Sequence, residues 1–342
     1  MKKNIFRFVK YAFLVFLIIF SYKIFWPGNY NVPQPQLRAG TKYWNLSTGS
    51  KIGYAFVPAI GSKKQYPIIY LHGGPGGFVS DRDIKALSPL AEDGYDLYLY
   101  DQIGSGQSDR LANISDYTVD RHLKDLREII GKIGTDKVIL IGQSWGSVLA
   151  VLFAADNPEK IDKLIFTNPG PIFPVQKELM DSKAPDSLHL REPYYSNRQG
   201  NEKANNLRTK AIAFFATKFN TKLAPDKEAD DFATYLNSEL NKSTVCDTAK
   251  LLKPEAGGGF YSSIMTFENL NQVQDHRMKL KNTRIPVLIM KGQCDNQKWG
   301  FTNEYLNLFS NHQFTLIPDA GHFIAIEQPE LYINTIRKYL GK

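Results

Sequence analysis

The segment Gly142-Gln143-Ser144-Trp145-Gly146 lies between the apolar run Val138-Ile139-Leu140-Ile141 and a helix-forming stretch over 147–156. Strand, sharp turn bearing a serine, then helix is the arrangement that lifts a serine Oγ clear of a sheet as a nucleophile. Glycine is needed two residues before and two after the serine. Strand and helix backbones approach so closely there that a Cβ at either position would clash. The turn also points the hydroxyl at the N-terminus of the following helix, where a developing oxyanion is favoured.

A serine hydroxyl is a poor nucleophile until a base takes its proton, so a histidine and an orienting carboxylate are required. In a fold carrying this turn the chain order is serine, acid, histidine. Asp295 follows the apolar run Ile285-Pro286-Val287-Leu288-Ile289-Met290, in the turn Lys291-Gly292-Gln293-Cys294-Asp295. His322 follows the strand expected over 313–317, in the turn Pro318-Asp319-Ala320-Gly321-His322. Both fall just past the carboxyl ends of strands, the edge where α/β sheets place ligands. Asp319 stands only three residues before the histidine, too near to orient it well, so the expected triad is Ser144, Asp295 and His322.

Another expected strand, over 66–71, ends in His72-Gly73-Gly74-Pro75-Gly76-Gly77. Glycines let backbone N–H groups approach a carbonyl oxygen with no side chain in the way. The N–H groups of Trp145 and of Gly73, with Gly74 as the alternative, are the expected oxyanion donors. A phosphate cradle is disfavoured, because neither G-K-[ST] nor G-x-G-x-x-G occurs in this loop. His72 precedes the nucleophile strand and is read as a structural residue of the loop.

Strands are expected near 42–46, 51–57, 66–71, 96–100, 137–142, 161–167, 285–290 and 313–317. Helices are expected near 81–91, 116–132, 146–156, 299–309 and 329–340. Strand–helix alternation implies parallel pairing with right-handed crossovers, and the first two strands read as a hairpin at the sheet's edge. The loop after Asp101, with Gly104 and Gly106, is expected to back the site rather than react.

The segments HGGPGG at 72–77, DQIGSGQSD at 101–109, GQSWGS at 142–147, the Asp295 turn and AGH at 320–322 together resemble the α/β-hydrolase superfamily. Within it they are similar to the proline iminopeptidase branch, peptidase family S33. The resemblance spans roughly 42–170 and 285–342. It implies a mostly parallel eight-stranded sheet, helices on both faces and an inserted helical cap. Core segments at 41–170 and 285–342 would enclose a cap at 171–284. Two positions depart from that branch: Ile103 stands where Arg is usual, and Gln143 where Gly is usual. The resemblance further implies that two cap glutamates hold the free amine of a peptide substrate by charge-assisted hydrogen bonds. Glu239 and Glu268 occur in the matching order within helical patches at 227–240 and 262–275, a third patch lying at 209–219. Exposed helix carboxylates are the competing reading of both.

An aminopeptidase releasing an N-terminal residue, often proline, from short peptides is thus the leading expectation. An ester or lipase-like acyl hydrolase with the same triad is the alternative, and a non-catalytic binding protein of this fold a remote third. The histidines are scattered, so neither metal nor cofactor is expected. The oligomeric state is not legible.

The net charge of +8 is no argument for a nucleic-acid partner, because Lys2, Lys3, Arg7, Lys10 and Lys23 contribute five positive charges before residue 27. Those lysines and the arginine flank the apolar run from Tyr11 to Tyr22. Extended to 5–26, the run is long enough to span a bilayer if its charged ends snorkel. Tyr11, Tyr22 and Trp26 suit the interfacial belts. With no A-x-A-like cleavage site following, an uncleaved anchor over 1–26 is preferred to a secretion signal. The catalytic part would then lie on the non-cytoplasmic side, joined by an extended tether over 27–40. Cys246 and Cys294 are the only cysteines; in an exported chain a bridge between them would tie the cap to the acid turn, but they are read as unpaired in preference, since nothing in the sequence fixes their separation.

Overall fold

The computed structural model describes residues 2–341. Among them eight strands form one sheet: β1 (Lys42–Asn45), β2 (Lys51–Val57), β3 (Ile68–Leu71), β4 (Leu97–Tyr100), β5 (Val138–Gln143), β6 (Ile161–Thr167), β7 (Val287–Gly292) and β8 (His312–Ile317). Their spatial order is β1-β2-β4-β3-β5-β6-β7-β8. The β1–β2 and β2–β4 pairings are antiparallel, and every other pairing is parallel. The hairpin therefore sits at one edge, as expected, and β5 lies inside the sheet.

The helices are α1 (Lys2–Phe25), α2 (Asp81–Leu87), α3 (Pro89–Glu92), α4 (Val119–Ile133), α5 (Trp145–Asp156), α6 (Lys177–Met180), α7 (Asn197–Ala204), α8 (Leu207–Phe219), α9 (Asp226–Leu240), α10 (Phe260–Leu270), α11 (Arg277–Lys281), α12 (Trp299–Leu308), α13 (Ile324–Glu327) and α14 (Pro329–Leu340). Side chains alternate across a strand, and both faces of this sheet are covered. Ile69 and Leu71 of β3 pack with α4, α5 and α12 on one face. Ile68 and Tyr70 pack with α2, α3 and α14 on the other. Burial on both faces explains why β3 and β5 read as unbroken apolar runs rather than alternating ones.

Several boundaries differ from expectation, three of them as follows. The helix expected over 81–91 is two helices, because Pro89 has no N–H to continue α2 and begins α3 at its first turn instead. The strand expected over 285–290 begins two residues later. Pro286 cannot donate to the ladder, although its carbonyl accepts from Leu164 N at 3.0 Å. The last cap patch is α10, which starts at Phe260 and stops at Leu270 rather than reaching 275.

The segment expected as a tether has no regular secondary structure, yet it is held along its length. Gly28 N donates to Glu228 Oε1 at 2.7 Å. The Tyr30 ring lies 5.4 Å from that of Phe232 and 5.9 Å from that of Tyr235. Arg38 donates to Val79 O at 2.9 Å and to Asp101 at 3.0 Å.

Candidate active site

Ser144 is the residue between β5 and α5, with φ 53° and ψ −115°. Its amide is fixed by donation to Thr167 O at 3.0 Å. The flanking glycines are required for the reason the motif suggested. A Cβ on Gly142 would strike the Gly146 carbonyl, and one on Gly146 would strike the carbonyl of Leu71 on the neighbouring strand. The departure at Gln143 is accommodated next door, since its Oε1 occupies the space a Cβ on Gly73 would need. The other departure, Ile103, is wholly buried in the core, and its carbonyl accepts from Ser262 Oγ of α10 at 2.8 Å.

Asp295 lies past the end of β7 and His322 past the end of β8, so both stand at the sheet edge that carries Ser144. Asp295 Oδ1 is 2.7 Å from His322 Nδ1, and the carboxylate is fully buried. Its other oxygen accepts from Lys291 Nζ at 2.6 Å. Burial by itself would raise the Asp295 carboxyl. The Lys291 ammonium and then the His322 ring outweigh that and hold it at about 2. Asp319 is exposed and ion-paired to Arg191 at 2.5 Å, which removes it from the histidine. A carboxylate fixed on Nδ1 leaves Nε2 as the ring nitrogen free to exchange a proton.

The glycine loop and the elbow are joined by a buried amide. Gln102 N donates to His72 Nε2 at 2.9 Å, so the neutral ring carries its proton on Nδ1 and donates it to Gly73 O at 2.8 Å. Burial lowers the His72 pKa and keeps the ring neutral. The Gln102 side chain donates to His72 O at 3.1 Å and accepts from the Trp145 indole at 2.7 Å. One glutamine thus sets the spacing between the two expected donor residues, Gly73 and Trp145. As first residue of α5, Trp145 has an N–H with no intrahelical acceptor. His72 is structural, in keeping with its position in the chain. Asp101 is too: it accepts from Val79 N at 2.8 Å and Gln107 N at 3.0 Å.

Several positioning residues escaped the sequence reading. Asn168, buried just past β6, donates to Gly321 O at 3.0 Å and His322 O at 2.8 Å, and accepts from Gly292 N at 2.8 Å. It therefore pins the acid turn to the histidine turn. The helical segment between β6 and β7, where a cap is expected, grips the same place, because His322 N donates to Thr244 O at 2.7 Å. Buried Glu327 accepts from Cys246 N at 2.9 Å and Gly321 N at 2.6 Å. Cys246 and Cys294, expected to be unpaired, form a disulfide with a Cα–Cα separation of 5.3 Å. Folding brings the cap segment onto the acid turn, a closeness that spacing along the chain does not encode. A polar residue directly past a strand's carboxyl end was the one available signal for Asn168.

The two cap glutamates stand differently. Glu239 is buried at the end of α9, with Lys242 Nζ at 2.5 Å and Lys203 Nζ at 3.2 Å from Oε2. Desolvation opposes its ionisation, but the two lysines prevail and its pKa is lowered. Glu268 is exposed on α10. A cavity of about 350 Å³ lies beside the acid turn, lined by Arg191, Gln293, Asp295, Asn296 and Trp299 among others, and neither Ser144 nor His322 lines it.

Comparison with known proteins agrees with this architecture. A family model described as alpha/beta hydrolase fold matches residues 66–329. A proline iminopeptidase from Heyndrickxia coagulans is 26% identical over 80% of this chain and 90% of its own. A putative 2-succinyl-6-hydroxy-2,4-cyclohexadiene-1-carboxylate synthase from Bacillus subtilis is 24% identical over 86% of this chain and 97% of its own. Among solved structures, an alpha/beta fold family hydrolase from Bacillus anthracis superposes with a TM-score of 0.59 at 20% identity, covering 87% of this chain and 98% of that one. With the elbow, the eight-stranded sheet and a match over most of its length, this chain belongs to the α/β-hydrolase fold family.

Proposed function

We propose that this protein is a serine hydrolase working through an acyl-enzyme, and that its reaction is that of an aminopeptidase of the proline iminopeptidase type. The observation that carries the hydrolase reading is the buried Asp295–His322 pair at the sheet edge that presents Ser144. Ser144 Oγ attacks the scissile carbonyl carbon while His322 Nε2 takes the hydroxyl proton. The N–H groups of Trp145 and Gly73, or Gly74, stabilise the oxyanion. The bond to the leaving amine breaks as His322 returns the proton to it. Water then repeats the sequence on the acyl-enzyme and releases the acid.

The peptidase reading rests on the motif resemblance and on relatives such as the Heyndrickxia enzyme. Its physical requirement is a carboxylate for the substrate ammonium, for which Glu239 and Glu268 are the candidates. One observation favours the ester alternative: Glu239 already holds two lysines, so an incoming ammonium must compete with them. The two readings separate on substrate charge. An aminopeptidase should cleave proline naphthylamide and lose that activity when the amine is acetylated. Glu239→Gln or Glu268→Gln should then cost about 1.5–3 kcal/mol in kcat/KM on the free amine, the range for hydrogen bonds to charged groups, and leave nitrophenyl esters untouched. Full turnover of the acetylated substrate would leave the esterase as the function.

Lys291 gives a second test. Its ammonium is the first of the influences that hold the Asp295 carboxyl low, so Lys291→Met should raise that pKa and move the acid loss of stability to higher pH. Thermal melting followed through the acid range measures this, and an unmoved profile would reduce Lys291 to a structural tie.

We also read α1 as a membrane helix. The apolar stretch Ile5–Phe25 has 21 residues, none of its most apolar window is buried, and it starts near the N-terminus. At 1.5 Å per residue it is about 32 Å long, enough for a ~30 Å hydrocarbon core. Full-length protein should therefore stay with membranes through carbonate and high-salt washes, with residues 1–26 still present by mass spectrometry.

A further inference from the structure

The exposed face of α8 is the feature of this molecule that the candidate site leaves unexplained. Phe214 and Phe219 are 52% and 59% exposed, and their ring centroids are 5.6 Å apart. Leu207 is exposed on the same helix. Lys210 and Lys218 are exposed among them, and α8 contains no carboxylate. Two large rings in water cost free energy in proportion to their apolar area, while a basic, aromatic helix face matches an anionic lipid surface.

The position of this face selects its occupant. α1 packs against α8. Arg208, in the first turn of α8, donates through Nη1 to Ile24 O in the last turn of α1 at 2.6 Å. Its remaining nitrogens pair with buried Glu228, Nη2 to Oε2 at 2.7 Å. Glu228 in turn receives Gly28 N just beyond α1. The chain is thus fastened to the cap on both sides of Trp26, and the cap cannot drift away on a loose tether. Tyr22 and Trp26 are exposed and stack at 5.1 Å, an aromatic pair at this end of α1 of the kind found at membrane interfaces. From Arg208, Phe214 lies about 9 Å and Phe219 about 17 Å along α8.

We propose that the Leu207–Phe214 face of α8, with Phe219 beside it at the helix's C-terminal end, lies in the interface of the same bilayer that α1 enters, with Lys210 and Lys218 on anionic headgroups. This rests on the reading of α1 as a membrane helix and goes beyond it, since an anchor alone would leave the catalytic part free to tumble. The cap is then the membrane-facing side of the protein. α10, which packs on α8, also closes over the glycine loop through Gly259 N to Gly76 O at 2.8 Å. The cover of the candidate site therefore leans on lipid.

Full-length protein in vesicles of phosphatidylcholine and phosphatidylglycerol tests this. Phe214→Cys and Phe219→Cys, labelled without reduction with an environment-sensitive fluorophore, should blue-shift and be quenched by lipids spin-labelled near the headgroup. A label at Glu159→Cys, an exposed site beyond α5, should not. Quenching should weaken in Lys210→Glu/Lys218→Glu. Unquenched labels at 214 and 219 in carbonate-resistant protein overturn the proposal while leaving the anchor standing. Carbonate-extractable protein overturns both. Emission at 214 that follows protein-to-lipid ratio, without quenching, would make a second copy of the chain the occupant and also overturn it.

Discussion

Ser144→Ala should remove turnover and fluorophosphonate labelling while leaving the melting temperature close to that of the parent protein. The kinetic loss should be large. Removing the nucleophile from a serine hydrolase costs on the order of a millionfold in kcat, with about a thousandfold over water surviving through the oxyanion donors and binding. Stability should hold for a local reason. Ser144 occupies the N-cap position of α5 but its side chain makes no capping hydrogen bond, so deleting Oγ leaves no orphaned amide. The positive φ is borne by alanine about as well as by serine, neither having glycine's freedom. A variant that loses both labelling and its fold would say nothing about chemistry, so thermal melting must accompany the assay. Undiminished turnover, with no labelling of the parent, would remove the serine-hydrolase reading.

The candidate residues that could be read in advance share one property: where they stand follows from local chain geometry. The elbow declares itself because strand, close-approach glycines and helix are contiguous. Asp295 and His322 are visible because each follows a strand by a few residues, and the order of strands fixes the edge they reach. Asn168, Thr244 and Glu327 are different. Each acts by touching a segment far away in the chain: Asn168 stands 124 residues from Gly292 and 153 from Gly321, and Glu327 stands 81 from Cys246. Nothing in an Asn beside a strand end reveals which carbonyls it will meet. The same holds for the cystine, which joins residues 48 apart in the chain. Lys291 was hidden for another reason. At the end of an apolar strand a lysine reads as the point where the chain returns to water, yet here its side chain is 2% exposed. Glu239 shows the converse hazard: order and spacing offered it as a free anion, and the fold supplied it with two cations.

Lys291 also determines what removing the acid should do. In Asp295→Asn the amide can face His322 Nδ1 with its N–H₂, which would hold the ring in the wrong tautomer, with its proton on Nε2. An equivalent change in a serine protease costs about ten-thousandfold in kcat. Asp319→Asn should cost little, since that side chain meets Arg191 in solvent. Unlike the serine variant, Asp295→Asn should also be unstable, because it strands a buried ammonium. Breaking a buried pair by deleting one partner typically costs about 3–5 kcal/mol. The pair's stability has a defined pH window. The Asp295 carboxyl falls from an ordinary 3.8 to about 2 on folding, so its contribution is complete above about 4 and disappears as pH falls through 2. Asp295→Asn should lack that part of the acid unfolding profile. Adding Lys291→Met to Asp295→Asn removes the stranded charge, so the double variant should recover stability but not activity. Recovery of both would mean that Asp295 serves only to neutralise Lys291, and the orienting acid would have to be sought elsewhere.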